Sequence, residues 1–149
     1  MTDKQITVLD KLVDIAASVD GVMFAGLYPD DMQNIGQRFP AVIVKDGNED
    51  APNYSTGQAV HYSYMPEILL ITEVNTFNTR IRDILALQNK LVTALIADLT
   101  IGGTVHNVNG HSIEKGVDQD LLSEFSAGFQ GELSVHKITL NTTIKDSRS

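Results

Sequence analysis

The residues of this chain best suited to metal binding are its four histidines. His106 and His111 lie five positions apart, and Glu114 follows shortly after them. These are common zinc-ligand types, but neither H-x₃-H nor H-E-x-x-H spacing occurs on a helical stretch. Surface or cross-strand polar pairing is therefore the expected role of these histidines, and we predict no metal site.

The carboxylates are plentiful but occur in turn-rich segments. Examples are Asp30–Asp31, Glu49–Asp50 and the Asp118/Asp120 pair. Acid–base catalysis requires a carboxyl group desolvated beside another titratable group, whereas solvated charge is the ordinary state of a loop. The sequence also lacks the G-x-S-x-G motif of serine nucleophiles. We therefore expect no catalytic residues and no cofactor, and we predict that the protein is not an enzyme.

The glycine pair Gly102–Gly103 raises the question of a phosphate-binding loop. Such loops follow a strand and precede a helix, so that the helix N-terminus faces the anion. Here the pair follows a helical pattern and precedes a strand-like run, Thr104–Val108. The glycines are therefore predicted to end the helix and turn the chain.

Composition limits the function classes further. The chain has 149 residues, a net charge of -8 and no cysteine, which fits one domain without disulfides or thiolate zinc sites. An acidic protein is a poor ligand for phosphate backbones, because nucleic-acid affinity depends on cationic contacts. The charged N-terminal stretch has no apolar core, so no signal peptide is expected. The longest apolar runs, such as "ILLI", fall far short of the roughly 20 residues of a membrane span, so none is expected.

Two amphipathic helices are predicted. Thr2 and Gln5 match a capping box, and Gly21 suits the left-handed position after the first helix. A second helix of about 20 residues precedes the glycine pair. The first apolar stripe comprises Ile6, Leu9, Leu12, Val13, Ile15, Ala16 and Val19, and the second comprises Ile81, Ile84, Leu85, Leu91, Val92, Leu95, Ile96 and Leu99.

Strand patterns fill much of the remaining chain. The run Ala41–Val44 predicts a strand buried on both faces, and Pro66 predicts a bulge, a bend or an edge position in the next strand. Asn109–Gly110 predicts a type I′ hairpin that pairs Val105–Val108 with His111–Glu114. In the last strand the apolar alternation changes phase, which predicts a bulge near His136–Lys137.

The order of these elements predicts an α+β fold: a largely antiparallel β-sheet with an N-terminal helix and a long central helix packed on it. We predict one domain over residues 1–149, with residues 146–149 as a mobile tail. Residues 22–38 are predicted to form a loop with one short turn of helix. For residues 118–127 a short helix and a projecting loop remain equally open.

The succession of segments resembles a known family. A capped N-terminal helix, "FPAVIV", an acidic turn-rich connection, "EILLITEV", a long amphipathic helix, "IGGTVHNV" and "ELSVHKITLNTTI" follow one another. This order is similar to that of the tail terminator, or tail completion, proteins of long-tailed bacteriophages. The resemblance extends over most of the chain, roughly from Thr2 to Lys145, and is one of pattern.

The resemblance implies a small α+β subunit, synthesised in the bacterial cytoplasm, that assembles as a ring, typically a homohexamer. Such a ring caps the tail tube at the head-proximal end of the virion, stops polymerisation of the major tail tube protein and joins the head–tail connector. It implies no catalytic residues. DNA would pass through the lumen without specific binding, and an acidic lumen would favour passage by repulsion.

Under this hypothesis, loops of unusual composition are candidate subunit interfaces. The tyrosines near the second strand are expected at a sheet edge or an interface; the alternative is that the candidate residues fill local core beneath long loops. Two other functions stay open: another head–tail joining or minor tail protein, and a small ligand-binding α+β protein. The candidate interface residues are Phe24, Leu27, Tyr28, Asp30, Asp31, Met32, Tyr54, Tyr62, Tyr64, Phe125 and Phe129.

Overall fold

The structure, a computed structural model, describes residues 2–36, 38–50, 60–74, 81–116 and 132–146. Two helices and five strands occur in these ranges, together with a short 3₁₀ helix. In chain order they are α1 (Thr2–Ala17), β1 (Phe24–Leu27), the 3₁₀ helix (Met32–Asn34), β2 (Ala41–Asp50), β3 (Val60–Val74), α2 (Ile81–Ile96), β4 (Asn107–Gly116) and β5 (Glu132–Asp146).

The five strands form one sheet in the order β1-β2-β3-β5-β4. β1 pairs with β2 in parallel, whereas the other three pairs are antiparallel. Both helices contribute to the larger apolar core, which covers one face of the sheet. The predicted α+β fold is thus confirmed. β1 was missed within the predicted loop, although the predicted short turn of helix is present there.

The central strands are buried on both faces, as the unbroken apolar run predicted. Val42 and Val44 contribute to the core beneath the helices. Ala41 and Ile43 belong to a smaller cluster on the opposite face. Because neighbouring side chains point to opposite faces of a strand, only a sheet covered on both sides can bury four consecutive residues.

The same two clusters explain the phase change in β5. Val135 lies in the smaller cluster with Leu133 packed against it, whereas Ile138 and Leu140 lie beneath the helices. The register of β5 against β3 shows no shift. The predicted bulge near His136–Lys137 is therefore wrong, because the alternation changes when the covered face changes and not when the strand slips.

The prediction of a hairpin at Asn109–Gly110 is also wrong. β4 runs through both residues and pairs with β5, with a register shift between Val108 and Gly110. Neither residue has the positive φ that a type I′ turn requires. The Asn109 amide instead donates a 2.7 Å hydrogen bond to the Thr143 hydroxyl, which holds Asn109 as a bulge on the edge strand.

A second bulge lies opposite Pro66. β3 occupies the middle of the sheet, and the register of β2 against it shifts between Lys45 and Asn48. Pro66 has no N–H to donate, and Gly47 bulges in the facing strand. A β-carbon at Gly47 would lie 1.7 Å from the Met65 carbonyl oxygen. Only glycine fits this approach of two backbones.

The helix boundaries differ from prediction in detail. Gly21 has φ 102° just after α1, as predicted, but Gln5 donates to Glu49 and Tyr62 across the core instead of capping the helix. Within the described residues α2 spans 16 residues, Ile81–Ile96, and so ends before Leu99 of the predicted stripe. Its buried face includes Leu87 and Gln88, whereas Ile81 and Leu99 are exposed.

The glycine pair forms the predicted corner between α2 and β4. Gly102 and Gly103 have φ values of 64° and 83°. The Asp98 carboxylate accepts hydrogen bonds from the Thr100 hydroxyl, the Thr100 N–H and the Gly102 N–H, which lower the pKa of Asp98. β4 starts at Asn107, so the strand predicted from Thr104 begins later than expected.

Several expectations fall outside the described residues. These are the helix or loop at 118–127 and the tail beyond residue 146; Asp146 itself is the last residue of β5. Within the described ranges, none of the helices is long and apolar enough to cross a membrane.

Candidate assembly interface

The predicted interface segment around β1 is anchored to the smaller core. Phe24, Tyr28 and Met32 are half-buried and pack against that cluster. The Arg38 guanidinium lies 4.6 Å from the Phe24 ring centroid, and the Lys45 ammonium lies 5.0 Å from that of Tyr28. Cations at this distance are attracted to an aromatic face. These side chains therefore fill local core and expose only part of their surface.

The other candidate interface residues of this segment are Leu27, Asp30 and Asp31, and Asp31 forms a turn with Leu27. Asp31 accepts a 2.8 Å hydrogen bond from the Leu27 N–H, and its N–H donates to the Leu27 carbonyl oxygen. A β-carbon at Gly26 would lie 2.6 Å from the Asp31 β-carbon, so the turn is closely packed. Leu27 is half-buried, and Asp30 is exposed.

The prediction that Tyr62 and Tyr64 lie at a sheet edge is wrong. Both lie in the central strand β3 and are buried in the helix-side core. Tyr64 donates a 2.5 Å hydrogen bond to Asp46, and the Tyr62 oxygen accepts one from Gln5. Their polar tips are thus satisfied inside the subunit. Tyr54, Phe125 and Phe129 lie outside the described residues.

A buried polar contact joins the sheet to α2. His136 on β5 and Gln88 on α2 are both buried, and Nδ1 of His136 lies 2.7 Å from Oε1 of Gln88. Sequence reasoning left His136 among the possible metal ligands and overlooked Gln88. The available signal was a polar residue within the apolar stripe of α2, one turn before Leu91.

Four large apolar side chains are exposed within the described part of the chain: Ile6, Met23, Ile81 and Leu99, at 52%, 61%, 65% and 50%. Ile6 and Leu99 lie near the start of α1 and just beyond α2. Met23 and Ile81 lie beyond the end of α1 and at the start of α2. Because the two helices run in opposite directions, each end of the helix layer carries two of these side chains.

A cavity of about 390 Å³ opens at the end with Met23 and Ile81. We call it the acidic cavity. Three exposed carboxylates, Asp20, Glu73 and Asp83, line it together with one cationic residue, Lys90. The carbonyl end of α1 adds a partial negative charge nearby. The entrance to this cavity therefore favours a cation.

The deeper lining of the acidic cavity is apolar except for one hydroxyl group. Ile84 and Leu87 from α2 are buried there, and Phe39 and Pro40 are half-buried. Thr72 on β3 is 3% exposed, and its hydroxyl oxygen has no hydrogen-bond partner within the described structure. An unsatisfied buried polar group is uncommon in proteins. The cavity therefore combines an apolar wall with an unused hydrogen-bonding group.

The opposite end of the helix layer carries a groove of about 590 Å³, here called the lysine end. Lys4 and Thr7 of α1 line it, together with the turn from Gly102 to His106. The Lys11 side chain lies against Gly102. Among the described lining residues there is no carboxylate.

Comparison with protein-family models and with curated protein sequences finds no match to this chain.

The described residues contain no group of three or more histidine and carboxylate side chains that could hold a metal ion. Because the chain makes no hairpin between them, His106 and His111 do not face each other across two strands. Two ends of opposite charge each carry exposed apolar side chains.

Proposed function

We propose that this protein is a structural subunit of a phage tail terminator ring. In this role, several copies, six in the family it resembles, cap the tail tube at the head-proximal end of the virion. The ring stops addition of tube subunits and presents its other face to the head–tail connector. The protein acts through its surfaces and performs no catalysis.

The observation that carries this proposal is the distribution of exposed apolar side chains. Met23 and Ile81 occupy one end of the helix layer, and Ile6 and Leu99 occupy the other. A ring requires two different patches on each subunit, because every copy contacts one neighbour with each patch. Exposed apolar groups at two separate ends supply such patches.

The fold and the charge are compatible with the same role. The α+β architecture is the one that the resemblance implies. A net charge of -8 disfavours tight binding of DNA and suits a passage through which DNA slides. This supports a lumen that repels the genome, with the major tail tube protein and the connector as protein partners.

The proposal is tested by measuring the mass of the purified protein in solution, alone and with tail tube protein. Negative-stain imaging of the same samples then shows particle shape. The expected result is a six-subunit ring with an open centre. A compact monomer or dimer at high concentration, unchanged by tube protein, would reject the proposal.

A second assay addresses the function itself. Tube protein alone is expected to polymerise without limit. Adding the ring should shorten the tubes, because a capped end accepts no further subunit. Tube lengths measured by electron microscopy report this directly. Unchanged length distributions, with intact rings present, would favour another head–tail joining role.

A further inference from the structure

The two ends of the helix layer are complementary in charge. The acidic cavity has three carboxylates and one ammonium group in its lining, and the lysine end has Lys4 and the neighbouring Lys11. Asp98, in the turn at the lysine end, accepts hydrogen bonds from the N–H groups of Thr100 and Gly102 and attracts Lys11. The two lysines outnumber this one carboxylate. Opposite charges at opposite ends favour head-to-tail contact between identical subunits.

We infer that a lysine side chain at the lysine end of one subunit inserts into the acidic cavity of the next, so that copies of this chain associate head to tail. This inference rests on the proposed function and specifies its subunit contact. The occupant is a second copy of this chain, because the chain itself carries the complementary cationic end.

The chemistry of the cavity matches a lysine side chain. A lysine has an apolar stem that packs along apolar surface and an ammonium group with three donors. Ile84 and Leu87 offer the wall for the stem, and the Thr72 hydroxyl oxygen offers an acceptor that has no partner among the described residues. Asp20 and Asp83 at the entrance supply the opposite charge.

The exposed apolar residues extend this contact. Met23 and Ile81 lie on the acidic side, and Ile6 and Leu99 lie on the lysine side. Head-to-tail contact would bury both pairs at once. Charge pairs at a surface contribute little by themselves, so the apolar pairs supply affinity while the lysine selects the register.

A charge-swap experiment tests the inference. Variant A carries Asp20→Lys and Asp83→Lys, and variant B carries Lys4→Glu and Lys11→Glu. Each variant alone places like charges at the contact, and we expect its self-association to be at least tenfold weaker than that of the wild type. A mixture of A and B restores opposite charges at every contact, so alternating rings should form.

The matched control is Asp10→Lys with Asp14→Lys. Both positions are exposed in the middle of α1, outside both cavity linings, and the change in net charge equals that of variant A. Control rings should form as in the wild type. If A and B each assemble like the control, the inference is overturned while the proposed ring function stands. If the wild type does not self-associate, either alone or with tube protein, both are rejected.

Crosslinking gives a second readout that does not depend on charge. The chain has no cysteine, so Thr7→Cys with Ala86→Cys provides two defined thiols, one at each exposed end. A crosslink within one subunit leaves the mass at that of a monomer, so only crosslinks between subunits add to a ladder. The double variant should give a ladder up to the closed ring, and each single variant at most dimers. No ladder beyond dimers in the double variant would overturn the inference.

Discussion

His136 Nδ1 donates a 2.7 Å hydrogen bond to Gln88 Oε1 and so links the sheet to α2 within the core. Burial lowers the pKa of His136, and the positive charge of Lys115 lowers it further. Burial and this charge thus favour a neutral imidazole in the folded protein. The hydrogen bond joins α2, which lines the acidic cavity, to β5 of the sheet.

Replacing Gln88 with leucine should destabilise the fold. The change leaves the His136 N–H without its acceptor in the core, and loss of a buried hydrogen-bond partner costs about 1–3 kcal/mol. Urea unfolding followed by circular dichroism measures this difference. Asn89→Leu, at the exposed neighbouring position, is the control and should stay within about 0.5 kcal/mol of the wild type.

Stability should fall as the pH decreases from 7 toward 5. The pKa of His136 is lower in the folded protein than its ordinary value of 6.5. Below that value the unfolded chain therefore binds more protons, and protonation favours unfolding. His136→Gln removes this contribution, so its loss of stability relative to the wild type should be smaller at pH 5 than at pH 7. A difference independent of pH would contradict the assignment.

The bulge glycine provides a backbone prediction. Gly47→Ala would place a β-carbon against the Met65 carbonyl oxygen, whereas a β-carbon at Gly110 meets nothing within 4 Å. Gly47→Ala should cost about 1–3 kcal/mol, as overpacking does, and Gly110→Ala, at the other bulge, less than about 0.5 kcal/mol. Thermal unfolding of the two variants compares them. Equal melting temperatures would show that the bulge does not require glycine.

Much of this fold could be predicted from local sequence pattern. The buried run Ala41–Val44 and the stripe of α2 are strong signals, because each lies in a covered layer with one clear periodicity. The Asn109–Gly110 signal failed because pairing with β5 outweighed a local turn preference. There the Asn109 amide bonds to Thr143, 34 positions away, and no local pattern contains that contact.

The candidate interface was less predictable. The hydroxyl groups of Tyr62 and Tyr64 suggested surface positions, but Gln5 and Asp46, 57 and 18 positions away, form hydrogen bonds with these groups within the subunit. The two ends of the helix layer were missed for a related reason. Asp20, Glu73 and Asp83 are distant in sequence, and only the antiparallel arrangement of α1 and α2 brings them to one cavity.

Tyr64 leads to a further prediction. Burial, followed by the hydrogen bond to Asp46 and its charge, raises the pKa of Tyr64 above its ordinary value of 10.0. Tyr64→Phe removes a hydrogen bond to a charged group, and such bonds contribute about 1.5–3 kcal/mol. A double-mutant cycle with Asp46→Asn, measured by urea unfolding, isolates this pair. A coupling energy near zero would reject the contact as a source of stability.

Two leucines on either side of the end of α2 separate folding from assembly. Leu91 is fully buried, and Leu99 is 50% exposed at the lysine end. Leu91→Ala should lower the free energy of unfolding by about 2–5 kcal/mol through lost packing and a residual cavity. Leu99→Ala should change it by less than about 0.5 kcal/mol yet weaken ring formation, because it removes an apolar side chain from the proposed contact. Unfolding of the monomer and ring mass at matched concentrations measure the two effects. A Leu99→Ala protein that assembles like the wild type would remove Leu99 from the contact.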